Sequence, residues 1–230
     1  MVDKGLVSQT GLISHGRGEA YDYLMGERTL APSLKAERAA AAYLLRAKNP
    51  VVCVNGNAAA LDPKNLIALV NEIPAKMEVN IFHRTEKRME LLISYMEENG
   101  AEDVLGRCPD ARIPGLSSDR ALCTRAGIYE SDVILVPIED GDRAKALADM
   151  GKVVISIDLN PLSRTSRAAT VSISDEMTRA LENIIAAVKE MKGRHDAIEE
   201  TIRSFSNESN RKEVVKAICS SLRSEFEGGA

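Results

Sequence analysis

The chain reads as an α/β protein built on a mostly parallel sheet flanked by helices. Two observations carry that expectation. Short β-branched runs alternate with longer segments of helical periodicity, the rhythm of βαβ units. Two of the runs, DVILVP and KVVISID, are almost continuously apolar, as strands covered on both faces must be. At 230 residues a single domain of this class is expected, with 193–230 as a helical C-terminal extension of it.

The elements follow in chain order. Residues 17–48 read as a short helix and then an alanine-rich one, KAERAAAAYLLRAK, with no strong strand. The first strand is expected at 51–55. Asp62 followed by Pro63 opens a helix to about residue 71, the carboxylate accepting orphan N–H groups and the ring preset for the first turn. A second strand falls at 78–82, and Thr85 then caps a helix over 86–99 that Gly100 stops. Strands at 132–137 and 153–158 enclose a helix over 143–150, which starts at Gly141 or Asp142 and ends at Gly151. After a fifth strand at 170–174, Ser174 begins a long amphipathic helix to about residue 192, with Asp175 and Glu176 in its first turn. The tail is charged and helical. Asn210 and Glu213 have capping-box spacing, and Val215, Ile218, Leu222 and Phe226 make one apolar stripe for a core or dimer contact.

Composition excludes several classes. Thirty Lys+Arg against 34 Asp+Glu give a net charge of -4, which disfavours a partner held through phosphate-backbone neutralisation. Five Tyr, three Phe and no Trp leave little for base stacking, so no nucleic-acid partner is expected. The four cysteines are too widely spaced for a Cys-x-x-Cys site and suggest reduced, mostly packed thiols. No apolar stretch is long enough to span a membrane, and MVDKGLVSQTG lacks a signal-peptide core, so a cytoplasmic location is expected.

In an open parallel sheet, ligands bind beyond the carboxyl ends of the strands. Here those ends are polar: Asn55-Gly56-Asn57, His83-Arg84-Thr85, Glu139 through Arg143, and Asp158-Leu159-Asn160-Pro161. Each alone could be an ordinary turn or cap, but together they predict one cleft, with Asn57, His83, Arg84 and, from the glycine-rich block before them, Arg17 as candidate catalytic groups. The glycine-rich block GLISHGRGEAYDYL reads as a loop that brings Arg17 up to a ligand, where its guanidinium can grip phosphate or carboxylate. It is not a dinucleotide fingerprint, and no Walker pattern occurs. The loop 158–170 offers donors on Asn160, Ser163, Arg164 and Thr165 as an anion cradle. Asp140 and Asp142 could carry Mg²⁺ with phosphate oxygens, or merely favour a helix start. His15 and His83 are isolated, which makes zinc improbable.

GLISHGRGEAYDYL, VVCVNGNAAAL, NIFHRTEKRME, IPGLSSDRA, VPIEDGDRAKAL and IDLNPLSRTSRAAT follow one another in order and spacing. Together they resemble the archaeal phosphopantothenate synthetase (4-phosphopantoate–β-alanine ligase) family. The resemblance implies a Rossmann-like fold and an ATP-dependent ligase of coenzyme A synthesis that joins 4-phosphopantoate to β-alanine, releases AMP and pyrophosphate, and works as a homodimer. It also implies ATP contacts at Arg17, Asp158, Leu159, Asn160, Arg164, Thr165, Glu176 and Met177. The family adds a basic ATP contact from an N-terminal segment; here it is either absent or supplied by a residue such as Lys4. An acyl-phosphate route with ADP as product fits the residues as well as the adenylate does. The alternatives are a nucleotide sensor without turnover and a dinucleotide-dependent oxidoreductase, the latter lacking its GxGxxG after the first strand.

Overall fold

Helices α1 (Gln9–Met25) and α2 (Ala31–Arg46) precede the first strand, β1 (Pro50–Val54). The structure, a computed structural model, describes residues 1–227, with side chains as far as Ser224. Two short helices, α3 (Gly56–Leu61) and α4 (Pro63–Glu72), lead to β2 (Lys76–Val79), and α5 (Glu86–Glu98) leaves it. An excursion then forms the small antiparallel pair β3 (Ala111–Arg112) and β4 (Leu122–Cys123), a 3₁₀ turn and a wide turn at Arg125–Tyr129. The chain continues through β5 (Val133–Pro137), α6 (Gly141–Asp149), β6 (Val153–Ile157), α7 (Arg164–Ala168) and β7 (Val171–Ile173). It finishes with α8 (Met177–Met191), α9 (His195–Ser204) and α10 (Asn207–Glu227).

The sheet is parallel throughout, in the order β2-β1-β5-β6-β7. The chain steps from β1 outward to β2, then returns past β1 to β5, so the topological switch lies between β1 and β5. The apolar runs predicted this two-sided burial. Val52, Val54 and Leu135 join the core shared with α2, α4 and α8, while Val51, Cys53, Ile134 and Val136 join a second core under α6 and the excursion. Among the described residues, no helix is long and apolar enough to cross a membrane.

Several local expectations shift. The glycine-rich block is not a loop but most of α1. Ser8 caps it by accepting from the Gly11 N–H, and Gly26, at φ 78°, stops it. The second strand ends three residues early, because its partner β1 stops at Val54, whose carbonyl accepts the Asn80 N–H as the last bond between the two strands. Helix α6 starts at Gly141, one of the two starts expected, with Asp140 before it as the cap whose carboxylate accepts from the Arg143 N–H. The α8 cap is Glu176, because Ser174 gives its carbonyl to the Ser33 hydroxyl and Asp175 turns inward to Arg179. The Asn210–Glu213 capping box is overturned. Helix α10 already begins at Asn207, whose side chain accepts from the Ser172 N–H and donates to the Ser166 and Ala169 carbonyls. Asn210 is instead buried against the body of the fold. The apolar stripe of α10 rotates with it. Val214 is the buried member, Ile218 is half-buried, Leu222 is exposed, and the Phe226 side chain lies outside the described residues. Packing of the thiols holds for Cys53 and Cys123 only; Cys108 and Cys219 are exposed.

Candidate functional site

A cleft of about 1040 Å³ opens along the carboxyl edge of the sheet. Its floor is the switch point. Asn55, directly after β1, caps α3 through its side-chain oxygen and donates its amide to the carbonyls of Pro137 (2.8 Å) and Ile138 (3.1 Å). Ile138 sits at φ 51°, a left-handed conformation that a β-branched residue rarely adopts. Asn55 holds its carbonyl, and its N–H donates to the Ile157 carbonyl at 3.0 Å, so the strain is fixed from both sides.

The starts of α3, α6 and α7, capped by Asn55, Asp140 and Ser163, all open on this cleft, which puts orphan N–H groups and the positive ends of helix dipoles there. Gly141 makes the α6–α7 approach possible, since a Cβ on it would lie 2.4 Å from the Arg164 Cβ. The Thr165 hydroxyl ties the two helices by donating to the Glu139 carbonyl at 2.8 Å. Asp158, at the end of β6, accepts from the Asn160 N–H and the Ser163 hydroxyl; burial pushes its carboxyl above the usual range, against the pull of those bonds. The opposite wall is α1. It is fastened by the Asn57 amide, which donates to the Gly11 carbonyl, and by Gly56, where a Cβ would sit 2.3 Å from the Leu6 carbonyl oxygen.

Under the cleft lies an ion cluster. Glu139, its side chain 1% exposed, accepts from Arg120 at 2.6 Å and also from the fully buried Arg143. Arg143 in turn reaches the Cys53 sulfur at 3.4 Å. Burial pushes the Cys53 thiol up, with the Arg143 charge opposing, which leaves it a neutral packing group. Two buried side chains of the β2 region anchor the excursion that carries Arg120. Glu78 accepts from the N–H groups of Thr124 and Ile128, both at 2.7 Å, and Asn80 donates to the Arg120 and Leu122 carbonyls while accepting from Arg120 Nε.

The expected residues separate into two groups. Arg17, Asn57, His83, Asp158, Asn160 and Thr165 all line the cleft, as do Arg164 and Asp140. Arg17 is exposed and forms no hydrogen bond or ion pair with the other described residues. Arg84 turns away, donating to the Gly106 carbonyl and the Met89 sulfur, and the cation at the rim there is Arg88, whose donors go to the carbonyls of Gly5, Leu6 and His83. Leu159 packs back against Met25, Leu30 and Val214. Glu176 is spent capping α8, Met177 is buried, and neither reaches the cleft. Asp142 is held by Arg164 at 2.6 Å. Arg120 and the strained Ile138 escaped the reading of residue chemistry. Arg120 stood in the IPGLSSDRA block without an assigned task, and nothing in a sequence marks an isoleucine for positive φ.

Comparison with known proteins gives the geometry its context. Residues 32–221 match the family described as phosphopantothenate/pantothenate synthetase. The chain is 49% identical over 223 residues to a 4-phosphopantoate–β-alanine ligase of Methanosarcina mazei, covering 96% of this chain and 88% of that one. It is 46% identical over 231 residues to the ligase of that name from Thermococcus onnurineus, covering 99% and 88%, and 53% identical over 180 residues to the one from Methanospirillum hungatei, covering 78% and 73%. Identity of this extent, with the family match running from α2 into α10, places the chain in the phosphopantothenate/pantothenate synthetase family.

Proposed function

We propose that the protein condenses 4-phosphopantoate with β-alanine at the expense of ATP, yielding 4-phosphopantothenate. The observation that carries the reading is the cleft at the switch point, where three helix starts and the side chains of Arg17, Arg88, Arg120 and Arg164 meet in an otherwise acidic protein. Both substrates of the activation step are polyanions, so positive potential at one edge is what the chemistry requires. In the adenylate route, the acid carboxylate attacks the α-phosphate and pyrophosphate leaves. The amine of β-alanine then attacks the acyl carbon, AMP departs with the bond electrons, and the amine loses a proton. Positioning and charge neutralisation drive both steps, and neither demands a protein nucleophile.

ATP lies in this reading along α1 and the 158–165 loop, with Arg17, Asn160, Arg164 and Thr165 toward its phosphates. Among the described residues no cluster of three or more His, Cys, Asp or Glu could hold a metal by itself. The residues fit Mg²⁺ as an ion carried by the triphosphate, with Asp140 as the protein carboxylate facing it. When bound, Mg²⁺ neutralises phosphate charge. A cytoplasmic homodimer completes the proposal, and a second copy would cover Leu12, Ile13, Tyr23 and Leu24, all exposed along α1. Sedimentation reads the dimer. For the reaction, the protein is incubated with ATP, Mg²⁺, 4-phosphopantoate and β-alanine. AMP with the amide product supports the adenylate route and ADP the acyl phosphate, whereas nucleotide binding without either product would leave a sensor.

A further inference from the structure

The cleft arginines are not equally committed. Arg88 spends its donors on three backbone carbonyls, and Arg164 is paired with Asp142. Arg120 is held differently. Its Nε donates to the Asn80 side chain (3.3 Å) and one terminal nitrogen to Glu139 (2.6 Å), which fixes the plane of the guanidinium. The other terminal nitrogen, Nη1, donates to no described residue, and its nearest acid is Asp140 at 3.7 Å, whose own Oδ1 caps α6. Glu139 is shared with Arg143, and the second acid, Asp140, reaches Nη1 only at 3.7 Å, so this nitrogen faces the open cleft with a loose ion pair and no hydrogen bond.

Burying that much cationic charge is unfavourable unless something is gained from it. The fold goes to some length to place it. Glu78 and Asn80, both buried, clamp the whole excursion, and Gly127 is required there because a Cβ would fall 2.1 Å from the Glu78 carboxylate. Arg120 bridges the ends of β2 and β5 and so lies over β1, whereas the 158–165 loop follows β6. Two strand spacings, roughly 10 Å, separate the ends of β1 and β6. A nucleotide on the β6 side leaves the β1–β2 side for the other anion.

We infer that Arg120 receives an anionic group of the acid substrate, its carboxylate or its phosphate ester, through Nη1, which makes no hydrogen bond and only the long contact with Asp140. The inference rests on the ligase reading and adds the acid's half of the cleft to it. The test uses Arg120→Lys and Arg120→Ala, each checked for wild-type thermal unfolding. Lys keeps the charge but loses the planar geometry and is the variant more certain to fold. Calorimetry with 4-phosphopantoate alone should show affinity reduced about ten- to a hundredfold in Ala and less in Lys, with ATP affinity changed less than about twofold. Unchanged acid affinity in both variants, or an equal loss for ATP, overturns the inference. Two smaller probes separate the sources. Loss of inorganic phosphate binding with pantoate binding retained assigns the phosphate ester, and the reverse assigns the carboxylate. If the wild type neither forms product nor binds 4-phosphopantoate, the ligase reading fails by itself. In that case phosphate or pantoate binding that disappears in Arg120→Ala still supports an anion site, and a wild type that binds neither probe overturns it.

Discussion

Two ion pairs of the cleft have the same length and opposite surroundings. Arg120 meets Glu139 at 2.6 Å with side chains 6% and 1% exposed; Arg164 meets Asp142 at 2.6 Å with side chains 72% and 68% exposed. Distance therefore says little about what either pair does. Water and salt screen the rim pair, and it can open for a ligand at small cost. The floor pair has lost its hydration, so its geometry is fixed before substrate arrives. A cleft that must both admit a large nucleotide and orient a reacting acid has use for each kind.

The strongest way to break this contrast is at Glu139. Glu139→Ala should destabilise the fold by about 3–5 kcal/mol, because Arg143 is left buried without a counter-charge and Arg120 keeps only Asp140 at 3.7 Å. Urea unfolding measures this, and a loss below about 1 kcal/mol would mean that water already reaches the cluster. Next in size is Arg17, exposed on α1 and without a hydrogen-bond or ion-pair partner among the described residues. Arg17→Ala should reduce turnover about ten- to a hundredfold with Arg17→Lys intermediate, while the unfolding temperature without ligand barely changes. The gain in that temperature on adding ATP should shrink in both variants. Wild-type turnover in Arg17→Ala would reduce α1 to scaffolding.

A buried acid that lacks a cation of its own sharpens the comparison. Glu37 on α2 is fully buried, and Arg179 spends its donors on Asp22 and Asp175. Burial, with Asp175 beside it and only Asn183 and Arg179 opposing, pushes the Glu37 carboxyl from 4.5 up to about 9. The folded protein thus keeps a proton that the unfolded chain releases. The contribution is complete below pH 4.5 and is lost as pH rises toward 9, by at most about 1.4 kcal/mol per pH unit. Glu37→Gln should flatten that slope, read from urea midpoints across the range, because the amide stays neutral at every pH. The smallest effect belongs to the rim. Asp142→Asn should cost at most about 1 kcal/mol. If Asp142 or Asp140 helps hold Mg²⁺ on ATP, its Asn variant will raise the Mg²⁺ requirement for turnover; if it only serves a helix start, that requirement will not move.

Much of this architecture is written in local signals. The runs DVILVP and KVVISID announce strands buried on both sides because a parallel strand leaves no face for water. Asp62-Pro63, Thr85 and Gly100 mark helix ends because capping depends on a side chain and its nearest backbone neighbours. The polar strand ends were also legible, and the open-sheet rule brings them to one edge, which the cleft confirms for Asn55, His83, Asp140 and Asp158.

Other features were decided only by tertiary contact. A glycine-rich stretch weighs against a helix on propensity, yet α1 forms, capped at both ends and packed so closely at Gly11 that a Cβ would meet the Asn57 side chain at 2.8 Å. Helix α10 begins at Asn207 rather than at the better-looking Asn210, because three hydrogen bonds to distant residues outweigh one local cap. Arg84 and Arg88 are indistinguishable as letters, and only the path of the chain turns one to Gly106 and leaves the other at the rim. The cluster brings Arg120 of the excursion to the local Glu139–Arg143 pair at the start of α6, and its meaning lies in burial, a property of the assembled fold that no single segment encodes. Local chemistry determined where the elements start and what each strand end could offer; which of those groups face a ligand was decided by close packing, which leaves room for one arrangement and excludes the rest.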